Sequence, residues 1–230
     1  MTRPLRIAML THSTNPRGGV VHAMQLSEAL TALGHTVTLH APDAKGTGFF
    51  RKPACSTACF AVPASPPDMI DMVEQRVAEY VRHFEQTDIC DFDIFHAHDG
   101  ISGNALATLK ERGLISGFVR TVHHIDHFAD PRLIALQDLS IDRADAFFAV
   151  SALWQEALRD KRGIESTVVG NGVDTQRFAP AWSGDQTELR DRIGLHAGPV
   201  FLSIGGIEAR KNTLGILEAF RQLRAVKPDA

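Results

Sequence analysis

Histidines are concentrated in two short stretches of the sequence. The chain holds eleven histidines, and five of them are His96, His98, His123, His124 and His127. Imidazole nitrogens bind zinc and related ions, and the H-x-H spacing of His96 and His98 places both side chains on one face of a strand. One hypothesis is a metal-dependent hydrolase whose site uses His96, His98, His123, Asp126 and His127. Neither stretch completes a recognised metal motif, and such strand histidines are also common as hydrogen-bonded core residues.

A glycine pair precedes the first long helical pattern. Gly18-Gly19 end a polar loop that contains Asn15, and apolar residues then recur at spacings of three and four. The N-terminus of a helix offers free N–H groups and about half a positive charge, so it suits a phosphate. The loop lacks the three glycines of G-x-G-x-x-G, and a tight turn without a ligand explains the pair equally well. Arg210-Lys211 is a second candidate anion site, or simply a solvated pair.

Strands and helices alternate along the chain, which predicts an α/β fold: a Rossmann-like open parallel sheet with helices on both faces. Roughly seven strands fit before residue 175. The predicted strands are 5–10, 36–41, 55–62, 92–98, 118–123, 146–150 and 166–169. The pattern indicates that Gly34 and Gly113 end helices and that Asp68, Asp130 and Ser151 begin them.

Helical spacing also predicts which side chains face the core. In the first helix the apolar stripe runs from Val20 to Leu33. Arg76, Glu79 and Arg82 lie off the stripe of the helix over 69–84, so we expect these side chains at the surface.

The sequence predicts two domains joined by a linker. Residues 1–178 form the first domain, and residues 179–198 form a linker that ends in a short helix around Glu188–Ile193. Residues 199–230 give only the first strand, Val200–Ile204, and the first helix of an incomplete second domain. One strand and one helix do not bury a core of their own.

Composition restricts the class of function. The net charge is −3 with acids and bases interspersed, which argues against a nucleic-acid surface. No apolar run approaches the roughly 20 residues of a transmembrane helix, and the start is too short for a secretory signal. The three cysteines form no C-x-x-C pair, so we expect reduced thiols in a cytoplasmic protein.

Distinctive polar segments follow the predicted strands. In an open parallel sheet, ligands bind beyond the carboxyl ends of the strands. The polar segments that follow predicted strands are 15–19, 98–100, 123–127, 171–174 and 205–211. Because all five lie at the same predicted edge of the sheet, they favour a single functional cleft over scattered turns.

Several motifs, in this order and spacing, resemble the N-terminal part of the GT-B glycosyltransferases, specifically the retaining family 4. The motifs are Gly18-Gly19-Val20 followed by Leu33-Gly34-His35-Thr36-Val37, Phe92 to His98 with Ser102-Gly103, Thr121-Val122-His123, Ala144-Asp145 to Val150-Ser151, and Asn171-Gly172-Val173-Asp174 with Phe178. The resemblance implies an enzyme that moves a sugar from a nucleotide-diphosphate sugar to an acceptor hydroxyl, with no metal or other cofactor required. It also implies a hexosyltransferase-like activity.

The resemblance further implies roles for individual residues. His123 would be catalytic beside the donor sugar, and Gly18, Gly19, Arg210 and Lys211 would hold the donor diphosphate. Asn15, His98 and Asp99 would lie on the acceptor side, and Asn171 and Asp174 in the loop that leads to the linker.

Two departures from the family pattern affect these expectations. The segment Gly205 to Lys211 keeps the lysine of the pattern but has glycine in place of its arginine. The chain ends at Ala230, before the family's paired glutamates, so we expect a fragment that is inactive without a C-terminal domain in cis. A non-catalytic sugar- or partner-binding domain stays open as an alternative, as does the oligomeric state.

Overall fold

The computed structural model describes residues 3–86, 92–178, 187–195, 200–207 and 209–228. The chain forms two compact units, Met1–Thr175 and Gln176–Ala230. The domain and linker boundaries drawn from the sequence remain predictions. Residues 179–186 and 196–198 of the predicted linker lie outside the described residues, as does residue 199 of the predicted second domain.

The first unit is built on a seven-stranded sheet in the order β3-β2-β1-β4-β5-β6-β7. Every neighbouring pair is parallel, so the predicted α/β fold class is confirmed. Each strand lies within or close to the run predicted for it. The strands are β1 (Arg6–Leu10), β2 (Thr36–Asp43), β3 (Ser56–Ala61), β4 (Ile94–Ala97), β5 (Val119–Val122), β6 (Ala146–Ala149) and β7 (Thr167–Val168).

Helices connect the strands of the first unit. They are α1 (Gly18–Ala32), α2 (Met69–Glu85), α3 (Gly100–Glu111), α4 (Pro131–Asp142) and α5 (Ala152–Arg162). Asp68, Asp130 and Ser151 accept backbone N–H groups of the helices that follow them, as predicted. Gly34 and Gly113 follow α1 and α3 at φ of 92° and 70°, a conformation that glycine adopts without strain.

The core has different coverings on the two sides of the sheet. On one side Tyr80 and Phe84 of α2 and Leu106 of α3 pack against β1 and β4, and α4 and α5 meet β5 through a separate cluster. On the other side α1 packs Ala23 and Met24 against β1 and β2. Among the described helices of this unit, α1 is therefore the one that covers this second side.

Some predicted side-chain positions are wrong. Leu33 is 76% exposed because α1 ends at Ala32 and Leu33 already belongs to the cap. Arg76 and Glu79, expected at the surface, are buried at 5% and 9% exposure. Arg76 lies beneath the loop before α2, where its guanidinium donates to the carbonyl of Pro63 and to Ser65 Oγ.

The second unit contains two helices among its described residues, α6 (Thr187–Arg192) and α7 (Thr213–Val226). The helix predicted around Glu188–Ile193 corresponds to α6. Val200–Ile204, predicted as a strand, form none, and these residues are largely exposed. A strand requires a neighbour with which to exchange hydrogen bonds, and the described part of this unit offers none. No helix among the described residues is long and apolar enough to cross a membrane.

Candidate functional site

The N-terminus of α1 faces two histidines from other strand ends. Gly18 and Gly19 are the first residues of α1, and the preceding Arg17 makes no side-chain capping bond. A Cβ atom placed on Gly19 would lie 3.6 Å from His123 Cδ2 and 3.8 Å from the carbonyl oxygen of His98. The loops after β1, β4 and β5 therefore meet at one rim of the sheet, because parallel strands end on the same side.

Three imidazoles form a cluster at this rim. His98 Nδ1 lies 3.2 Å from His123 Nε2, and the ring of His22, the fifth residue of α1, lies 4.9 Å from that of His123. Asn171, after β7, places Oδ1 3.0 Å from His22 Nδ1. His22 is absent from the site residues predicted from the sequence, although its position three residues after Gly19 places it near the same rim.

The cluster corrects the metal hypothesis drawn from the sequence. Among the described residues, the group of ring nitrogens that could hold a metal ion comes from His22, His98 and His123. His96 is instead a buried core residue whose Nε2 lies 2.7 Å from Thr121 Oγ1. His127 is exposed, and Asp126 pairs with the neighbouring His124 at 3.1 Å.

Burial keeps these imidazoles neutral. It lowers the pKa of His123 to about 3, with further lowering from His22 and Arg120. Burial also lowers the pKa of His98 well below its usual value, and His96 and His123 add to that effect. Burial also lowers the pKa of His22, and this effect outweighs the hydrogen bond to Asn171, which raises it. At neutral pH the cluster can therefore exchange hydrogen bonds with a polar ligand but contributes no positive charge.

Asp99 has a structural partner as well as a place at the rim. As the N-cap of α3, its Oδ1 accepts the N–H of Ser102 at 2.8 Å. Its Oδ2 lies 3.6 Å from His12 Nδ1. Burial lowers the pKa of His12, but the hydrogen bond and charge of Asp99 outweigh burial and raise it overall. Asn15, in the same loop as His12, is exposed.

A cavity of about 700 Å³ opens beside the cluster on the α1 side of the sheet. Its walls include His22 of α1, His96 of β4, Thr121 of β5 and Phe148 of β6. Asp174, predicted in the loop before the linker, lies at its edge.

Lys211 and Arg210 belong to the second unit. Lys211 is exposed in a short turn before α7, and its Cε would lie 3.7 Å from a Cβ placed on Gly205. The side chain of Arg210 lies outside the described part. Their predicted contact with a diphosphate therefore stays a prediction.

The sequence matches the profile of Glycosyltransferase Family 4 over residues 16–177. The chain belongs to glycosyltransferase family 4. No curated protein matches this family 4 chain in sequence.

Solved structures share its fold. They include sucrose-phosphate synthase from Thermosynechococcus elongatus, with 18% identity, a TM-score of 0.54 and coverage of 76% of this chain and 93% of that one. A glycosyltransferase from Rickettsia africae is 14% identical, with a TM-score of 0.60, and the match covers 97% of this chain and 59% of that one. The catalytic domain of starch synthase IV from Arabidopsis thaliana, bound to ADP and acarbose, is 13% identical, with a TM-score of 0.63. The match covers 86% of this chain and 61% of that one. The family 4 chain thus spans about three fifths of the length of the last two.

Proposed function

We propose that this chain is the acceptor-side part of a retaining, hexosyltransferase-like enzyme that moves a sugar from a nucleotide-diphosphate sugar to an acceptor hydroxyl. The observation that carries the proposal is the meeting of Gly19, His98 and His123 at one rim. The ADP in the starch synthase structure supports a nucleotide ligand for such a fold. Family membership supports the reaction class.

The N-terminus of α1 would bind the donor diphosphate. The first turn of a helix presents unbonded N–H groups and positive potential, which favour a developing negative charge on a leaving group. With no side-chain cap from Arg17, those groups are available to a ligand. Lys211 and Arg210 would supply the charge that neutralises the departing nucleotide diphosphate.

His123 would contact the donor sugar. As a neutral imidazole it can accept a hydrogen bond from a sugar hydroxyl, or donate one, without placing a cation beside the anomeric carbon. Such a cation would oppose the positive charge that develops there in an oxocarbenium-like transition state. His98, Asp99 and Asn15 would shape the acceptor side, and the reaction would need no metal cofactor.

The test is the substitution Gly19→Ala in the complete enzyme, after donor screening. Neither Gly18 nor Gly19 has a positive φ, and alanine is favoured over glycine in helices by up to about 1 kcal/mol, so the helix should persist. A methyl group would occupy the space between α1 and His123. We expect kcat/KM for the donor to fall at least about tenfold, a loss of roughly 1.4 kcal/mol, with thermal stability retained.

Gly18→Ala is the matched comparison, because a Cβ at Gly18 meets no atom within 4 Å. In Gly18→Ala the fall in kcat/KM for the donor should be clearly smaller than in Gly19→Ala. His123→Ala and Lys211→Ala should each lower transfer as well. Equal losses in the two glycine variants, or unchanged transfer in His123→Ala, would contradict the proposed position of the donor.

A further inference from the structure

We propose that His22, His98 and His123 form a three-histidine binding site for a divalent transition-metal ion of the zinc type. Each residue offers one ring nitrogen, and these nitrogens all lie within 4.8 Å of one another. The residues come from α1 and from the loops after β4 and β5, which the parallel sheet holds at one rim.

The spacing of two of the nitrogens already suits such an ion. Zinc binds imidazole nitrogen at about 2.0–2.1 Å in tetrahedral geometry, which separates two ligand nitrogens by about 3.3 Å. His98 Nδ1 and His123 Nε2 are 3.2 Å apart. The His22 nitrogen must approach by at most roughly 1.5 Å, a distance that side-chain rotation provides at a half-buried position near the start of a helix.

Neighbouring groups orient two of the rings. Asn171 Oδ1 lies 3.0 Å from His22 Nδ1, so that nitrogen donates its hydrogen and Nε2 keeps a lone pair. His98 Nε2 lies 2.9 Å from Met9 Sδ, an arrangement that leaves the lone pair of His98 on Nδ1, toward His123. Metal-binding histidines characteristically use the second ring nitrogen in this way, because it fixes the tautomer and the ring orientation.

The donor set selects the class of ion. Imidazole nitrogens suit zinc, copper, nickel and iron, whereas magnesium and calcium prefer oxygen ligands. The cluster contains no carboxylate. Three protein ligands leave the fourth position of a tetrahedral ion open to water or to a ligand hydroxyl.

Occupation of the site would interfere with transfer. This consequence rests on the proposed function, in which His123 contacts the donor sugar. A metal ion would engage the lone pair of His123 and fill the space beside Gly19. The ion would therefore act as an inhibitor that competes with the donor sugar.

Binding is tested by titration of Zn²⁺, and separately of Co²⁺, into the 230-residue chain. We expect one ion per chain by calorimetry, and the visible absorption of tetrahedral Co²⁺. His22→Gln should weaken binding at least tenfold, and Asn171→Ala by a smaller factor. The matched control is His124→Ala, one residue after His123, whose exposed side chain lies outside the cluster. This variant should bind like the wild type.

Three results would overturn the assignment. The first is no binding at a Zn²⁺ concentration of 100 times that of the protein. The second is equal affinity in His22→Gln and His124→Ala. The third is a thiolate-to-cobalt charge-transfer band, which would assign the ion to one of the three cysteines instead. Circular dichroism of each variant checks that weaker metal binding is not caused by unfolding of the protein.

Inhibition is tested separately in the complete enzyme. Zn²⁺ should raise KM for the donor without changing kcat, and a chelator should restore it. Zinc binding without such inhibition would overturn the competition while leaving the site in place. An enzyme that binds zinc and transfers no sugar from any donor would refute the proposed function and not the metal site.

Discussion

His40 provides a direct test of how burial controls protonation in this core. The side chain, on β2, is fully buried, and its Nδ1 lies 3.0 Å from His83 Nε2 on α2. Phe84 and Phe92 pack against the ring, while the hydroxyl of Tyr80 bonds to the carbonyl of His40 and not to the imidazole. Burial, followed by the charge of His83, lowers the pKa of His40 to about 3.

The pH dependence of stability follows from the difference between the pKa of His40 in the folded protein and in the unfolded chain. In the unfolded chain a histidine has a pKa of about 6.5, so between the two values the unfolded state binds the additional proton. The neutral, buried His40 therefore contributes its full stability above pH 6.5, and that stability is lost as the pH falls toward 3. At pH 5 the linkage relation gives a loss of about 2 kcal/mol from this residue.

The assay is urea-induced unfolding at pH 7 and pH 5 for the wild type and for His40→Asn. Asparagine retains a group near the position of Nδ1 and does not titrate. We expect His40→Asn to be less stable at pH 7, because the ring leaves a cavity. Its further loss between pH 7 and pH 5 should be smaller than that of the wild type by about 2 kcal/mol.

Val81→Ala is the matched control. Val81 is buried on α2 in the same core, so the variant is destabilised by a cavity but keeps the His40 imidazole. It should show the full wild-type loss between pH 7 and pH 5. An equal loss in wild type and His40→Asn would refute the conclusion that burial keeps His40 neutral.

Two further predictions concern packing. Tyr80→Phe removes a buried hydroxyl that donates to Thr11 O and lies 2.9 Å from His40 O; calorimetry should show a loss of about 1–3 kcal/mol, since buried acceptors lose a partner. Gly103→Ala would place a Cβ 2.9 Å from Ser140 Cβ, so we expect destabilisation of about 1–3 kcal/mol. At Gly100, by contrast, the nearest atom to a new Cβ is 3.9 Å away. Similar melting temperatures for Gly103→Ala and Gly100→Ala would contradict this account.

The sequence was sufficient where local chemistry decides the structure. The positions of the strands follow from the hydrophobic pattern, and the helix caps follow from short polar side chains such as Asp68 and Ser151. The convergence of His98 and His123 follows from the common direction of parallel strands. The features that could not be predicted depend on contacts between separate segments of the chain, which a local sequence pattern does not contain.

Arg76 is the clearest case of such a contact. Its position off the apolar stripe of α2 predicts exposure, but the loop that precedes α2 covers the side chain and supplies hydrogen-bond acceptors. His22 was missed for a related reason, because its partner Asn171 is 149 residues away. Val200–Ile204 has the composition of a strand, but composition does not supply the neighbouring strand that pairing requires.

The close contact between α3 and α4 affects how the rim can respond to a ligand. Gly103 allows the backbone of α3 to approach Ser140, and Asn104 Nδ2 donates to the carbonyl of Leu136 on α4 at 2.8 Å. These contacts hold α3 against α4, and Asp99 is fixed to α3 as its N-cap. Under the proposed function, adjustment to different acceptors is then easier on the opposite side of the sheet, where α1 is the one described helix of the first unit. Under the same proposal, we expect changes of acceptor preference to be concentrated in residues of α1 and its preceding loop.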